Sequence, residues 1–185
     1  MEWRATGSLN ALSASRHPEL LAPPVVDALS GLGADVAARI GAAAIDPALA
    51  DTAEFCARYG VRLDVSANCV VIKGKRGGEV RYAACMVLAT TRADVNGVVR
   101  RRLDARTASF APMDEAVALT GMEYGGITPL GLPADWPILV DAAVARADEV
   151  VIGSGIRASK LFLPGAVLAM LPNAEVIEGL ARPVE

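Results

Sequence analysis

The stretch Thr120-Gly121-Met122-Glu123-Tyr124-Gly125-Gly126-Ile127-Thr128-Pro129-Leu130-Gly131-Leu132-Pro133 has the residue types to bind another molecule through its main chain. Gly125-Gly126 permits positive backbone angles and leaves its N–H groups uncovered, so a ligand can approach the peptide closely. Pro129 and Pro133 fix the chain's direction and reduce the entropy lost on ordering it. Thr128, between the two, supplies a hydroxyl that donates or accepts. By itself such a stretch reads as a surface turn. Two further polar ends accompany it, however. One apolar run closes on Asp141, whose carboxylate could hold a substrate ammonium or cap the helix that follows. Another closes on Gly153-Ser154-Gly155, whose N–H groups, with Arg157, suit ribose or phosphate, or form a plain hairpin turn.

Other chemistries are thinly supplied. His17 is the single histidine, in a Ser-Arg-His-Pro-Glu turn, so a multi-histidine metal site is impossible and a Ser/His/Asp triad would need that one residue. Cys56, Cys69 and Cys85 have no C-x-x-C spacing and read as small buried hydrophobes. Neither a metal nor an organic cofactor is expected. The net charge of −3 argues against coating nucleic acid by bulk electrostatics. Two local basic runs, Arg100-Arg101-Arg102 and Lys73-Gly74-Lys75-Arg76, could neutralise an RNA backbone or form solvated faces.

The elements that must position these groups come from one domain of 185 residues, long enough to bury roughly 70% of the surface its unfolded chain would expose. Apolar residues make up 53% of it and aromatic ones only 4%, which implies a core of small side chains. The longest apolar runs fall short of the ~18 residues a membrane span needs, and Met1-Glu2-Trp3-Arg4 does not open a signal peptide. A soluble, cytoplasmic protein is the expectation.

Pro23-Pro24 opens a helix that Gly33 ends; residues 35–45 are ambiguous, with a strand closing at Ile45 preferred. Asp51 with Glu54 makes a capping-box signature for a helix that stops at Gly60. Residues 69–72 read as a short strand, 74–78 as a turn and 80–90 as the returning strand. Asp94 caps a helix through Leu103, residues 107–110 form a strand, and Asp114 begins a helix to Thr120. Strands at 137–140 and 149–152 follow, with 160–163 as a hairpin arm. A helix from Pro164 to Leu171 and a strand at 175–177 complete the chain. Hairpins without regular βαβ alternation predict an α+β domain, a curved mixed sheet or barrel with helices outside.

The ordered set Thr120-Gly121-x-x-x-Gly125-Gly126-Ile127-Thr128-Pro129-x-Gly131, a strand ending in Asp141, then Val151-Ile152-Gly153-Ser154-Gly155-Ile156-Arg157 resembles the YbaK/EbsC-like aminoacyl-tRNA deacylases. These are relatives of the editing domain inserted in bacterial prolyl-tRNA synthetases. The resemblance runs from Asp46 to Ile177 and is carried by the whole series rather than any one piece. It implies residues 46–185 as the deacylase domain and residues 1–45 as an extension packed on it.

The resemblance implies a trans-editing hydrolase that holds the aminoacylated 3′ end of a transfer RNA and cleaves a wrongly attached amino acid. Gly125 would be the key loop position, with Tyr124, Gly126, Ile127, Thr128 and Pro129 lining the substrate. Asp141 would stand at the same pocket, as would Gly153, Ser154, Gly155 and Arg157. An aminoacyl ester is already activated, so positioning and oxyanion stabilisation by backbone N–H groups suffice, with the substrate's own hydroxyl or thiol as base. The family lysine heads a strand reading Lys-Ser/Thr-Leu-Val, and aligning it with Asn68-Cys69-Val70-Val71 puts Asn68 in its place. Asparagine can hydrogen-bond a carbonyl or ribose but brings no charge. Lys73, ~15 Å along the strand by its rise, and Lys75 are poor substitutes. The alternatives are a binding module for an aminoacyl or nucleotide ligand, or for a synthetase, and a hydrolase of another small activated ester. The oligomeric state is open.

Overall fold

The computed structural model describes residues 2–184. In chain order, β1 (Leu12–Ser13), α1 (Pro23–Gly31), α2 (Ala34–Ala37) and β2 (Gly41–Ala44) precede α3 (Thr52–Tyr59). Next come β3 (Ala67–Arg76), β4 (Glu79–Leu88), β5 (Thr91–Ala93), α4 (Arg100–Arg102), β6 (Thr107–Phe110) and α5 (Met113–Thr120). The last part holds β7 (Ile138–Asp141), α6 (Ala142–Ala145), β8 (Val150–Gly153) and β9 (Ser159–Leu163). It ends with α7 (Gly165–Leu168), β10 (Ala174–Ile177) and β11 (Ala181–Pro183).

The strands make a five-stranded sheet, β10-β7-β4-β3-β6, a four-stranded sheet, β1-β2-β9-β8, and a small pair, β11-β5. The fold is therefore α+β, as expected, and the barrel form of that expectation is corrected. Among the described residues no barrel closes, because β6 and β10 are left as edges. The two larger sheets meet at a parallel bridge between Ser66 and Val151.

The hairpin of β3 and β4 is longer than the sequence suggested. Gly74-Lys75-Arg76, which reads as turn, continues β3 and pairs with β4, Gly74 and Lys75 pairing with β6 as well. Gly77 (φ 57°) and Gly78 (φ 88°) alone make the reversal, a two-residue turn whose twist matches the strands it joins. Gly74 is glycine for a packing reason: a Cβ there would lie 2.8 Å from the Ala105 Cβ.

Side chains of β4 alternate between two cores, with Met86 on one face and Cys85 and Val87 on the other. On the first face Ala22, Val25 and Leu29 of the N-terminal segment pack with Ile152, Leu161 and Val140. A third cluster places Phe55 and Cys56 of α3 against Val151 and Phe162. Residues 35–45 divide between α2 and β2, so both readings of that stretch hold in part. The segment after Asp94 opens as a π-turn over Val95–Val99, with the Asp94 carboxylate accepting from the Gly97 and Val98 N–H groups. The pairing of β5 with β11 had no signal in the sequence. Among the described residues, no helix is long and apolar enough to cross a membrane.

Candidate active site

The main cavity, about 360 Å³, lies at the seam where β3 meets β8. One wall is the head of β3, Ala67 to Val71; the adjoining wall is Val151, Ile152 and Gly153 at the end of β8. Asp51, Thr52 and Phe55 close it from the first turn of α3, and Tyr124, Gly125 and Ile127 from the loop after α5. Phe110, Met113 and Tyr124 are exposed at its mouth.

Two glycine loops form one wall because they are bonded to each other. The Gly155 N–H donates to the Gly126 carbonyl at 2.7 Å, and the Glu123 N–H donates to the Gly155 carbonyl at 2.9 Å. Such close approach excludes side chains: a Cβ on Gly126 would come within 2.7 Å of the Ile156 carbonyl carbon. Arg157 locks the arrangement. Its N–H donates to the Glu123 carboxylate at 2.6 Å, and its guanidinium reaches the carbonyls of Pro47 and Tyr124 at 3.1 and 3.2 Å. Gly125 has a φ of 81°, and its N–H finds no acceptor among the described residues.

Asp51 does not form the expected capping box. It stands at the N-cap of α3 without a side-chain bond to the helix, and its carboxylate is instead 3.3 Å from Arg157 Nη1. Thr52 Oγ1, one residue on, donates to Asn68 Oδ1 at 2.8 Å. That bond fixes the amide, whose NH2 group has no acceptor among the described residues.

Lys160 enters the cavity from β9. Its neighbours in the strand, Ser159 and Leu161 to Leu163, are all buried, and Lys160 itself is only 8% exposed. Nζ donates to the Ala50 carbonyl at 2.8 Å and lies 5.1 Å from the centre of the Phe55 ring. Burial pushes its ammonium down to about 8, partly offset by Cys56 and Asp51. Cys69 also lines the cavity, and burial pushes its thiol upward, away from a reactive thiolate. Among the described residues, no three His, Cys, Asp or Glu side chains gather where they could hold a metal ion.

Residues 46–171 match the family model for the aminoacyl-tRNA editing domain. The chain belongs to that family. No curated protein matches the editing domain described here at a significant level. Among solved structures, it is similar to a candidate trans-editing enzyme for prolyl tRNA synthetase, with a TM-score of 0.69 and 20% identity, covering 85% of this chain and 97% of the other. A scaffold protein used for computational grafting of linear epitopes gives 0.70 and 21% identity, covering 85% and 95%. A hypothetical protein gives 0.63 and 22%, covering 72% and 85%. At these identities the likenesses speak for the fold alone.

Within this editing domain the structure brings together Asn68, Tyr124, Gly125, Ile127 and Gly153 at the cavity, with Gly126, Gly155 and Arg157 bracing its wall. Asp141 lies elsewhere, which corrects its expected place. Its carboxylate accepts from the N–H groups of Ala143 and Ala181, each at 2.9 Å, so it caps α6 and pins β11. Thr128 and Pro129 are buried behind the loop, Thr128 completely, and neither lines the cavity. The Ser154 hydroxyl is spent on Ser159, 2.7 Å from its Oγ. Lys73 is held by Glu115 at 2.6 Å, and His17 by Glu19 at 2.8 Å; neither borders the cavity. Of the basic run on α4, Arg102 is paired with Glu175.

Thr52, Phe55, Phe110, Met113 and Lys160 are among the cavity residues that sequence reasoning missed. A signal existed for Lys160, a charge set inside the otherwise apolar strand Lys160-Leu161-Phe162-Leu163. The others share no motif, since only the sheet seam brings them together.

Proposed function

We propose that this editing domain acts in trans on a transfer RNA carrying the wrong amino acid and hydrolyses the ester at its 3′ end. The observation that carries the reading is a cavity of about 360 Å³, walled by glycine-loop backbone, in a member of the editing family. That volume is at the low end of ligand pockets. It suits an aminoacyl group better than a dinucleotide. Phe110, Met113 and Tyr124, exposed at the mouth, offer apolar faces on which the unstacked terminal adenine can lie.

The chemistry asks for positioning and for donors aimed at developing charge. Water attacks the ester carbonyl carbon, and the carbonyl oxygen, as it becomes negative, accepts from the Gly125 N–H and the Asn68 side-chain NH2. The bond from carbon to ribose oxygen breaks. A hydroxyl of the substrate relays the proton lost by water to that leaving oxygen, giving free amino acid and a transfer RNA with its hydroxyl restored. No metal or organic cofactor takes part in this scheme.

Residues 46–185 form the deacylase domain in this reading, and residues 1–45 an extension packed on it through β2 and α1. An aminoacyl-tRNA synthetase is a further partner. A second reading, a binding module without turnover, rests on Asn68, which brings no charge to the head of β3.

Release of labelled amino acid from a panel of correctly and incorrectly charged transfer RNAs tests the proposal. Selective release from one mischarged species is expected, falling on the order of a hundred-fold in Asn68→Ala. Tyr124→Ala should raise KM and leave kcat nearly intact. No release from any charged RNA by the folded protein would replace the hydrolase with the binding module.

A further inference from the structure

Asp141 and Lys160 are the two buried charged residues among those described. The difference between them is informative. Asp141 is satisfied by two backbone donors, whereas Lys160 has no carboxylate within 4.0 Å among the described residues and gives one N–H to Ala50. Two donors of its ammonium remain for whatever occupies the cavity. Asp51, the other charged residue of the lining, stands at the rim and is engaged with Arg157.

Within the fold the ammonium meets the Ala50 carbonyl and the Phe55 ring, neither of which carries a negative charge. Phe162, two residues on, faces the same cluster, where Phe55 and Val151 also lie, and an apolar side chain at position 160 would extend it. A lone buried ammonium is costly unless paired. A ligand that supplies the missing anion accounts for it.

The shape of the substrate narrows which anion that is. Phosphates of a transfer RNA stay with the polynucleotide at the mouth, and the α-ammonium is repelled by Lys160. The ester carbonyl belongs beside Gly125 and Asn68. What reaches the buried end, among Phe55, Val151 and Lys160, is the amino acid side chain. We infer that Lys160 is a specificity residue that pairs with a side-chain carboxylate, so that the substrate is a transfer RNA wrongly carrying an acidic amino acid, aspartate or glutamate. This inference rests on the editing reading. A charge-assisted pair of this kind is strong and directional, and loss of the carboxylate strands the ammonium again.

The experiment pairs turnover with binding. Transfer RNAs charged with Asp, Glu, Asn or Ala are offered to the wild type, K160M and K160Q. In parallel, non-hydrolysable 3′-amide analogues of aspartyl-adenosine and asparaginyl-adenosine are titrated calorimetrically. Methionine fills similar volume without a charge, so K160M should fold, and K160Q keeps a donor without a charge. The expected result is that the wild type prefers an acidic over the matching neutral substrate by about ten- to a hundred-fold, and both variants lose the preference. A preference for alanine or asparagine, or an order unchanged in K160M, would overturn the inference while leaving editing intact. If no charged RNA is hydrolysed, the editing reading fails and the analogues decide. Tighter binding of the aspartyl form that K160M abolishes upholds Lys160 as a carboxylate reader; equal binding of the two rejects it.

Discussion

The guanidinium of Arg157 fills the space that a Cβ on Gly125 would need, while its Nη1 holds the Tyr124 carbonyl at 3.2 Å. Gly125→Ala therefore combines two costs, a positive φ of 81° and a collision with Arg157. Gly121, with φ 66° and nothing nearer to its Cβ site than Pro24 at 3.9 Å, carries the first cost alone. Each variant should lose about 1–2 kcal/mol of stability from the left-handed backbone. Deacylation should fall at least ten-fold in Gly125→Ala only, as measured on the mischarged substrate at equal folded concentration.

Asp141→Ala removes the acceptor shared by the Ala143 and Ala181 N–H groups. A destabilisation of about 1–3 kcal/mol is expected, with Asp141→Asn intermediate because one acceptor oxygen remains. Urea unfolding gives the loss. Turnover per folded molecule should be unchanged, and a large fall in kcat with stability intact would return Asp141 to the substrate.

Stability should depend on pH through Lys160. Its folded-state value of about 8 lies below the ordinary 10.5, so between these limits the unfolded chain binds more protons and stability rises with pH. Below pH 8 the penalty of the buried ammonium is fully present; above 10.5 it is gone. Asp51 and Cys56 favour the charged form, and Arg157 opposes it. Urea midpoints of the wild type and K160M, compared from pH 7.5 to 10.5, should show the variant's advantage shrinking by about 3 kcal/mol. A constant gap would mean that Lys160 keeps an ordinary affinity for its proton.

Thr128 buries a hydroxyl that has no hydrogen-bond partner among the described residues. Valine has nearly the same shape without that polar atom, so Thr128→Val should raise stability by about 1 kcal/mol. Thermal unfolding of the two proteins decides it, and a lower midpoint would show that the hydroxyl is satisfied in solution.

Much of the fold was legible because local rules and tertiary packing agree. Gly60 and Gly121 end α3 and α5 in the left-handed conformation, as their positions after apolar periodic segments imply. The β3–β4 hairpin, apart from its length, and the β8–β9 hairpin were also anticipated. Misreadings came where a neighbour far along the chain takes over a residue's local role. Gly74 suggests a turn, yet it is glycine because Ala105 presses on the strand. Asp51 suggests a capping box, yet Arg157, distant in sequence, takes its carboxylate. The candidate site follows the same division. Its glycine loops could be found from composition, because close backbone approach demands glycine. Asp141 looked like a ligand for an ammonium because a strand-end carboxylate reads the same way whether it faces a cavity or its own helix. Lys160 stood out only as a charge within an apolar strand; its partners Ala50 and Phe55, over a hundred residues earlier, could not be read from that strand.

The bridge between Ser66 and Val151 joins two sheets that are otherwise built from separate pairings. The cavity's walls thus belong to different structural units, with the Asn68 side on one and the Gly153 and Lys160 side on the other. If Lys160 reads the substrate side chain as inferred above, substitutions in β9 would change which one is admitted without altering the register of β3 with β4. On the proposed reading such a seam gives the scaffold room to diversify: new substrates would be acquired at one wall while the other went on presenting the reacting bond.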